Sequence, residues 1–257
     1  MRRRALLLAA VLATVAGVSF VPQASAAQAV TLRFVTANVD FAHPEDTPGK
    51  WRNLIAPNAD VVFLQEAKNL KLANFVDTST WIIRHGTVAN ENDSEDRLGS
   101  AVLIRRSVAT DLDDWDLVKG VDASPCPDGG IMTRWIAKLK VKLTNGRWVR
   151  IASLHMPPPR CQTGPGSPYD RMSDNVVDFV KRTDMFTVLG ADWNKTVDAD
   201  PNDIGKRSGL EPNGPDSGER IDGFMYSPRL GNCCLTALGQ VSSGHDAVQI
   251  KLTIPAP

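Results

Sequence analysis

RWIAKLKVKLTNGRWVRIASLH, residues 134–155, is the stretch whose reading decides the fold class. Two apolar-rich runs, Ile131–Leu143 and Arg147–Met156, flank Thr144-Asn145-Gly146. Asn-Gly between such runs is the strongest short-range hairpin signal, because both residues tolerate the positive φ of a tight turn. A two-residue turn at Asn145-Gly146 pairs Thr144 with Arg147. That register sets Ile136 opposite His155 and, beyond the strands, Cys126 opposite Pro165. The expected bridge at the open end of the hairpin is therefore Cys126–Cys161. Cys233 and Cys234 are left as a vicinal pair or as two thiols.

Disulfides need an oxidising compartment, and the N-terminus supplies a route to one. Met-Arg-Arg-Arg precedes an apolar run from Ala5 to Val18 and then Ala24-Ser25-Ala26. A basic start, a short apolar centre and a small-x-small site read as a secretory signal peptide over residues 1–26. The run is too short for a stable membrane span. Of 29 basic and 29 acidic residues, the leader holds three arginines and no acid, so 26 bases face 29 acids afterwards, a net −3. A secreted, slightly acidic monomer without membrane insertion is expected, and any affinity for nucleic acid must be local.

Residues 27–257 show no repeat, long linker or composition break, so one domain is expected. Short β-branched runs recur at Thr31–Thr36, Asp60–Leu64, Ala101–Ile104, Trp135–Leu143, Trp148–Leu154, Phe186–Leu189 and Ala247–Ile254. Helical spacing marks Tyr169–Arg182 and a short segment at Trp51–Ile55. Strands mixed with helices around an evident hairpin point to an α+β class or to a sheet sandwich covered by helices.

Polar residues stand at the ends of these runs. Asn38 and Asp40 follow Leu32–Ala37, Gln65-Glu66 close Val61–Leu64, and His155 closes Val149–Leu154. Asp192 and Asn194 follow Phe186–Gly190, Asp222 follows Ile221, and His245-Asp246 open the last run. Each alone is an ordinary turn residue. Converged, they make a cleft of acids that stay ionised only with a cation or hydrogen-bond donors. Such oxygen ligands suit Mg²⁺ or Mn²⁺, with Ca²⁺ a further candidate, and no cysteine–histidine spacing suits zinc. With imidazoles beside the ion, the fitting chemistry is phosphate-ester hydrolysis.

In order along about 210 residues, the motifs resemble the endonuclease/exonuclease/phosphatase superfamily, the deoxyribonuclease I-like fold. Thr36-Ala37-Asn38-Val39-Asp40 is similar to its first-strand Asn motif, Phe63-Leu64-Gln65-Glu66 to its Leu-Gln-Glu motif, and Ser153-Leu154-His155-Met156 to its Thr-His-Leu strand end. Gly190-Ala191-Asp192-Trp193-Asn194 resembles Gly-Asp-Phe-Asn with one residue inserted, and Arg220-Ile221-Asp222 resembles Arg-Ile-Asp. Ser243-Gly244-His245-Asp246 resembles the closing Ser-Asp-His box with acid and imidazole reversed. The resemblance implies a four-layer, two-sheet β-sandwich flanked by helices.

It also implies roles. Glu66 would ligate the metal, with Asp40 and Asp246 as metal or supporting ligands. Asn38 would hold phosphate or the Glu66 side chain, and Asn194 would bind phosphate. Asp192 would orient the attacking water. His245, held by Asp222, would be base or donor, and His155 would meet the scissile phosphate or leaving oxygen. The hairpin register adds Arg134, which shares a face with Ile136 and so becomes a diagonal neighbour of His155 and a natural phosphate clamp. Arg97-Leu98-Gly99-Ser100 lacks the acid that related proteins use to orient the residue at the His155 position.

Other residues receive plainer readings. His43 and His85 are expected on polar loops at the surface, and Asp111, Asp113, Asp114 and Asp116 on a solvated face. Trp193, inside its motif, could reach substrate. Arg134, Arg160, Arg171, Lys195, Lys206 and Arg207 lie near the motifs and could line a nucleic-acid cleft. The expected activity is a secreted metal-dependent phosphodiesterase, foremost an extracellular nuclease. The alternatives are a secreted phosphatase, a sphingomyelinase-like phospholipid phosphodiesterase, and an inactive binding module.

Overall fold

The computed structural model describes residues 28–257 except 41, 69, 87–98, 128, 132 and 213–219. The leader at 1–26 and the Arg97-Leu98 departure lie outside the described residues. In chain order the strands are β1 (Val30–Asn38), β2 (Val61–Gln65), β3 (Trp81–Gly86), β4 (Ser100–Arg105), β5 (Ala109–Val121), β6 (Ser124–Cys126), β7 (Gly129–Ile131), β8 (Arg134–Leu143), β9 (Trp148–His155), β10 (Phe186–Asp192), β11 (Glu211–Pro212), β12 (Asp222–Tyr226), β13 (Gly231–Ser242) and β14 (His245–Ile254). The helices are α1 (Thr47–Lys50), α2 (Pro168–Lys181) and α3 (Ile204–Ser208).

A first sheet runs β13-β14-β1-β2-β4-β3 and a second β11-β12-β10-β9-β8-β5. Alternate residues of each sheet face the other, as the period of two requires. Phe34, Val61, Phe63, Val102 and Ile250 from the first sheet meet Val141, Ile151, Val188, Phe224 and Tyr226 from the second. Each such buried side chain contributes about 1.5–3 kcal/mol relative to exposure. The outer faces are covered as well. Trp51 and Ile55, in a helical turn following α1, pack on Val35, Val62 and Leu103, while Tyr169, Met172, Val176 and Val180 of α2 pack on Ile136, Leu154 and Leu189. Helix, sheet, sheet and helix form the four expected layers.

Helix α2 lies where the spacing predicts it. Ser167 caps it by accepting the Asp170 N–H at 3.1 Å, Pro168 sits in its first turn, and Lys181 in its last. Beneath its C-terminal end Arg150 is buried. It donates to the Val180 carbonyl at 2.7 Å and lies 4.1 Å from the Phe179 ring centre, a cation placed where the helix ends in unpaired carbonyls.

The hairpin is present with a register one residue away from the expected one. Gly146 takes a φ of 84° and donates to the Leu143 carbonyl at 2.8 Å, while Leu143 N–H donates to Arg147 at 2.9 Å. Three residues therefore make the loop instead of two, so Lys142 faces Trp148 and Ala137 faces Ser153. A type I turn closed by a left-handed glycine is the next commonest hairpin after the two-residue forms.

Cys126 and Cys161 are bonded, 5.1 Å apart at Cα, and Cys233 and Cys234 form a vicinal disulfide. One surface reading changes. His85 belongs to strand β3, largely buried with Nε2 unpartnered, and burial pushes its imidazole pKa down. The acidic run is solvated as expected: Asp111, Asp113, Asp114 and Asp116 are exposed on the edge strand β5, where Asp114 pairs with Lys138 and, at 3.2 Å, with Lys140 across the ladder.

Candidate active site

Strand register brings the polar ends together. His155 lies beside Asp192 across β9 and β10, and Asp192 beside Asp222 across β10 and β12, so one row of the second sheet carries all three. On the first sheet Asn38 stands beside Gln65. Glu66 follows in a left-handed conformation, φ 56°, and so does Asn194, φ 52°, two residues beyond Asp192. Asparagine visits this conformation readily, whereas for Glu66 it is uncommon and needs surrounding contacts to hold it.

Asn38 links the sheets. Its side-chain amide donates to Glu66 at 3.2 Å and to Asp192 Oδ2 at 3.0 Å, and its Oδ1 accepts the Asp40 N–H at 3.2 Å. Both amide hydrogens are used, so Asn38 positions the two carboxylates and has none left for a phosphate. Asn194 donates its main-chain N–H to Asp192 Oδ1 at 2.9 Å and one amide hydrogen to the Met156 carbonyl at 2.9 Å. Gln162, next to the bonded Cys161, holds the Asn194 carbonyl at 2.8 Å.

His245 Nδ1 lies 2.8 Å from Asp222 Oδ2 and 3.8 Å from Asp192 Oδ2. Burial works against its charged form, but the hydrogen bond and charge of Asp222, with Asp192 and Glu66, carry its pKa up to about 9. Burial, and then the neighbouring Asp222 charge, pushes the Asp192 carboxyl up to about 6, and burial raises Asp222 as well. His155 moves the other way. Burial first, then the Arg134 charge, holds it well below the usual histidine value.

Arg134 Nη1 is 3.2 Å from His155 Nδ1, a contact reached despite the shifted hairpin register. His155 Nε2 lies 3.2 Å from Asp192 Oδ2 and its Nδ1 lies 3.8 Å from Glu66. Arg134 and His155 are both buried, at 6% and 5% exposure, so the guanidinium lies inside the site and not on its rim.

Two expected ligands stand elsewhere. Asp40 accepts the Ala42 N–H at 2.9 Å and pairs with the exposed His43 at 2.8 Å, which holds its carboxyl below the usual range. Asp246 pairs with Arg220 at 2.9 Å. The turn at Gly244, φ 80°, delivers His245 to Asp222, and the acid one residue later is taken by arginine. Of the expected metal set only Glu66 joins the cluster. Asp192, Asp222 and His245 instead bring ligand atoms within 4.8 Å of one another. Trp193 is fully buried, its indole N–H bonded to the Gly223 carbonyl at 3.2 Å, so it is structural.

The expected basic lining is mostly engaged. Arg207 pairs with Asp174, Arg171 with the Gly166 carbonyl and Ser124, and Lys195 with Asn202 while lying over Tyr169. Thr36, Gln65 and Ser153 form a further buried polar set, of which only Gln65 stands out in the sequence as a polar strand end. Its signal is present at period two, in Phe34-x-Thr36-x-Asn38, Phe63-x-Gln65 and Ile151-x-Ser153-x-His155, where polar residues interrupt inward-facing apolar positions.

Solved structures share this arrangement of sheets. An endonuclease/exonuclease/phosphatase family protein from Bacteroides thetaiotaomicron superposes with a TM-score of 0.68 at 15% identity, over 88% of this chain and 99% of that one. The chain has the deoxyribonuclease I-like fold of endonuclease/exonuclease/phosphatase proteins. Truncated Caenorhabditis elegans TDP2 is similar at a TM-score of 0.57 and 15% identity, over 86% of this chain and 97% of that one. The mannosyl-6-phosphatase Bt3783 of Bacteroides thetaiotaomicron gives 0.61 and 14%, over 87% and 99%. No family model and no curated protein matches the sequence.

Proposed function

We propose that the chain is a secreted, divalent-metal-dependent phosphoester hydrolase whose first substrate is nucleic acid, cut at the phosphodiester. The observation that carries this reading is the convergence of His155, Asp192 and Asp222 from one sheet on Asn38, Glu66 and His245 from the other. Acids packed this closely need a compensating cation, and Asp222 Oδ1 is buried without a partner. Hard oxygen donors fit Mg²⁺ or Mn²⁺, with Ca²⁺ a further candidate. Glu66 and Asp222 would hold the ion, which when bound balances their charge and polarises a phosphoryl oxygen.

The remaining chemistry belongs to the side chains. Asp192, fixed by Asn38 and Asn194, orients the attacking water and takes its proton, for which a carboxyl near 6 is suited. His245, charged at neutral pH, donates to a developing phosphoryl or leaving oxygen while Asp222 holds its Nδ1. Neutral His155 offers the hydrogen on Nε2, and Arg134 behind it adds positive potential toward the phosphate. Secretion rests on the leader and agrees with two disulfides. Among the described residues no helix is long and apolar enough to cross a membrane.

A second reading, a phosphatase of small polar phosphate esters, is favoured by the engaged bases: Arg171, Lys195 and Arg207 are held by neighbours. Digestion of supercoiled plasmid with Mg²⁺, Mg²⁺ plus Ca²⁺, or EDTA separates the two. Metal-dependent nicking by the wild type, lost in His155→Ala and Asp192→Ala, supports the nuclease. Intact plasmid with turnover of sugar phosphates selects the phosphatase, and turnover of phospholipid alone a lipid phosphodiesterase. Inactivity on all of these, with no metal-induced rise in Tm, leaves a binding module and overturns the proposal.

A further inference from the structure

The two halves of the site ride on different sheets, and an apolar interface alone leaves their spacing loosely specified, since dispersion and burial are non-directional. One polar cluster crosses that interface directly behind the site. Gln65 Nε2 donates to Ser153 Oγ at 3.0 Å and to the Gly190 carbonyl at 3.4 Å. Ser153 Oγ donates in turn to the Leu64 carbonyl at 2.8 Å, and Thr36 Oγ1 donates to Gln65 Oε1 at 3.3 Å. Thr36, Gln65 and Ser153 are all fully buried.

The register gives this cluster its meaning. Gln65 shares a row with Asn38 and directly precedes Glu66. Ser153 and Gly190 are neighbours across β9 and β10, two register positions from His155 and Asp192 and so on the same faces of their strands. The sheets approach closely here, because a Cβ on Gly190 would stand 2.1 Å from Phe63 Cδ2. Gln65 thus ties the strand carrying Glu66 to the two strands carrying His155 and Asp192, at the level where separation of the sheets becomes separation of the catalytic groups. A satisfied buried network of this kind selects one arrangement among several of similar packing energy.

We propose that Gln65 is the positioning residue that sets the distance from Glu66, on one sheet, to Asp192 and His155, on the other. The inference rests on the phosphoesterase reading of the site and adds to it a residue that touches neither metal nor substrate. Gln65→Leu keeps most of the volume and removes the amide. Ser153→Ala removes one arm and leaves the contact with Gly190, so it is the milder variant should the first fold poorly. Thr187→Val, a buried polar change on β10 at the far end from the site, is the stability control.

The measurement is Mg²⁺ half-saturation of bis(p-nitrophenyl) phosphate turnover, with the rise in Tm from EDTA to saturating Mg²⁺ as a readout independent of substrate. In Gln65→Leu the half-saturation concentration rises about tenfold or more, the range found when groups supporting metal ligands are removed, and the Mg²⁺-induced Tm rise shrinks. Ser153→Ala shifts both in the same direction by less. Thr187→Val lowers Tm in EDTA without moving either. Wild-type half-saturation and Tm rise in both Gln65→Leu and Ser153→Ala overturn the positioning role while the site reading stands. A wild-type protein with neither turnover nor a Mg²⁺-induced Tm rise overturns the site reading, and this inference with it.

Discussion

Arg134 Nη1 lies 3.2 Å from His155 Nδ1, and this pair fixes the state of the ring. A guanidinium has five donors and no acceptor, so Nδ1 must accept and the ring hydrogen must sit on Nε2, facing Asp192 Oδ2. An adjacent permanent cation also disfavours a second proton on the ring. His155 is therefore a neutral hydrogen-bond donor with a positive charge directly behind it.

Replacing that arginine separates charge from packing. Arg134→Met keeps an unbranched apolar stem and should lower kcat about 10²-fold, the scale for losing one preorganised donor to developing charge. Mg²⁺ half-saturation should stay near the wild-type value, since Glu66 and Asp222 are untouched. Steady-state kinetics across a Mg²⁺ titration check this, and an unchanged kcat would refute the role given to Arg134.

Asp222→Asn tests the imidazole on the opposite side. Without the carboxylate, burial dominates at His245, its proton is lost at lower pH, and the alkaline limb of the kcat profile should move toward acid. kcat at neutral pH should fall roughly 10²–10⁴-fold. Stability carries a matching signature. The folded pKa of about 9 exceeds the unfolded value near 6.5, so the wild-type pair contributes fully below about pH 6.5 and loses that contribution as pH rises through about 9. Urea midpoints in EDTA at pH 6 and 9.5 should converge in Asp222→Asn if the pair is the cause.

Gly190→Ala addresses the close approach of the sheets. The added methyl would meet three atoms of the Phe63 side chain at 2.1–2.8 Å, in a core with no room to yield. We expect a loss of about 3 kcal/mol, the upper part of the range for overpacking. The double variant Gly190→Ala/Phe63→Leu should recover a measurable part of it. Chemical denaturation of both gives the answer, and an equal loss in the two would place the strain elsewhere.

Much of this site was legible because its strands are buried on both faces. Val61–Leu64 reads as a continuous apolar run, and Val149–Leu154 and Phe186–Leu189 as mainly apolar ones, so the polar residue beyond each stands out. Strands β5 and β13 gave no such signal: they are sheet edges, largely exposed, with charged or small residues along most of their length. The hairpin register was misjudged by one residue because Asn145-Gly146 serves two loop lengths equally well, and only the left-handed Gly146 with its bond to Leu143 distinguishes them. Likewise His245 and Asp246 are equivalent as letters, and the partners Asp222 and Arg220 decide which enters the site. The roles of Gln65 and Ser153 depend on contacts between residues 88 positions apart, which no local pattern encodes.

Strand β14 is the last in chain order, yet it inserts between β13 and β1, pairing Val30 with Ile254 and Thr36 with Val248. It also carries His245, while Asn38 waits at the other end of the chain. Without this strand every carboxylate of the cluster is still present, but the imidazole that Asp222 holds is missing and the edge of β1 is unpaired. The two ends of the fold thus meet at the site: pairing β1 with β14 closes the middle of the first sheet and brings His245 to Asp222 in the same arrangement.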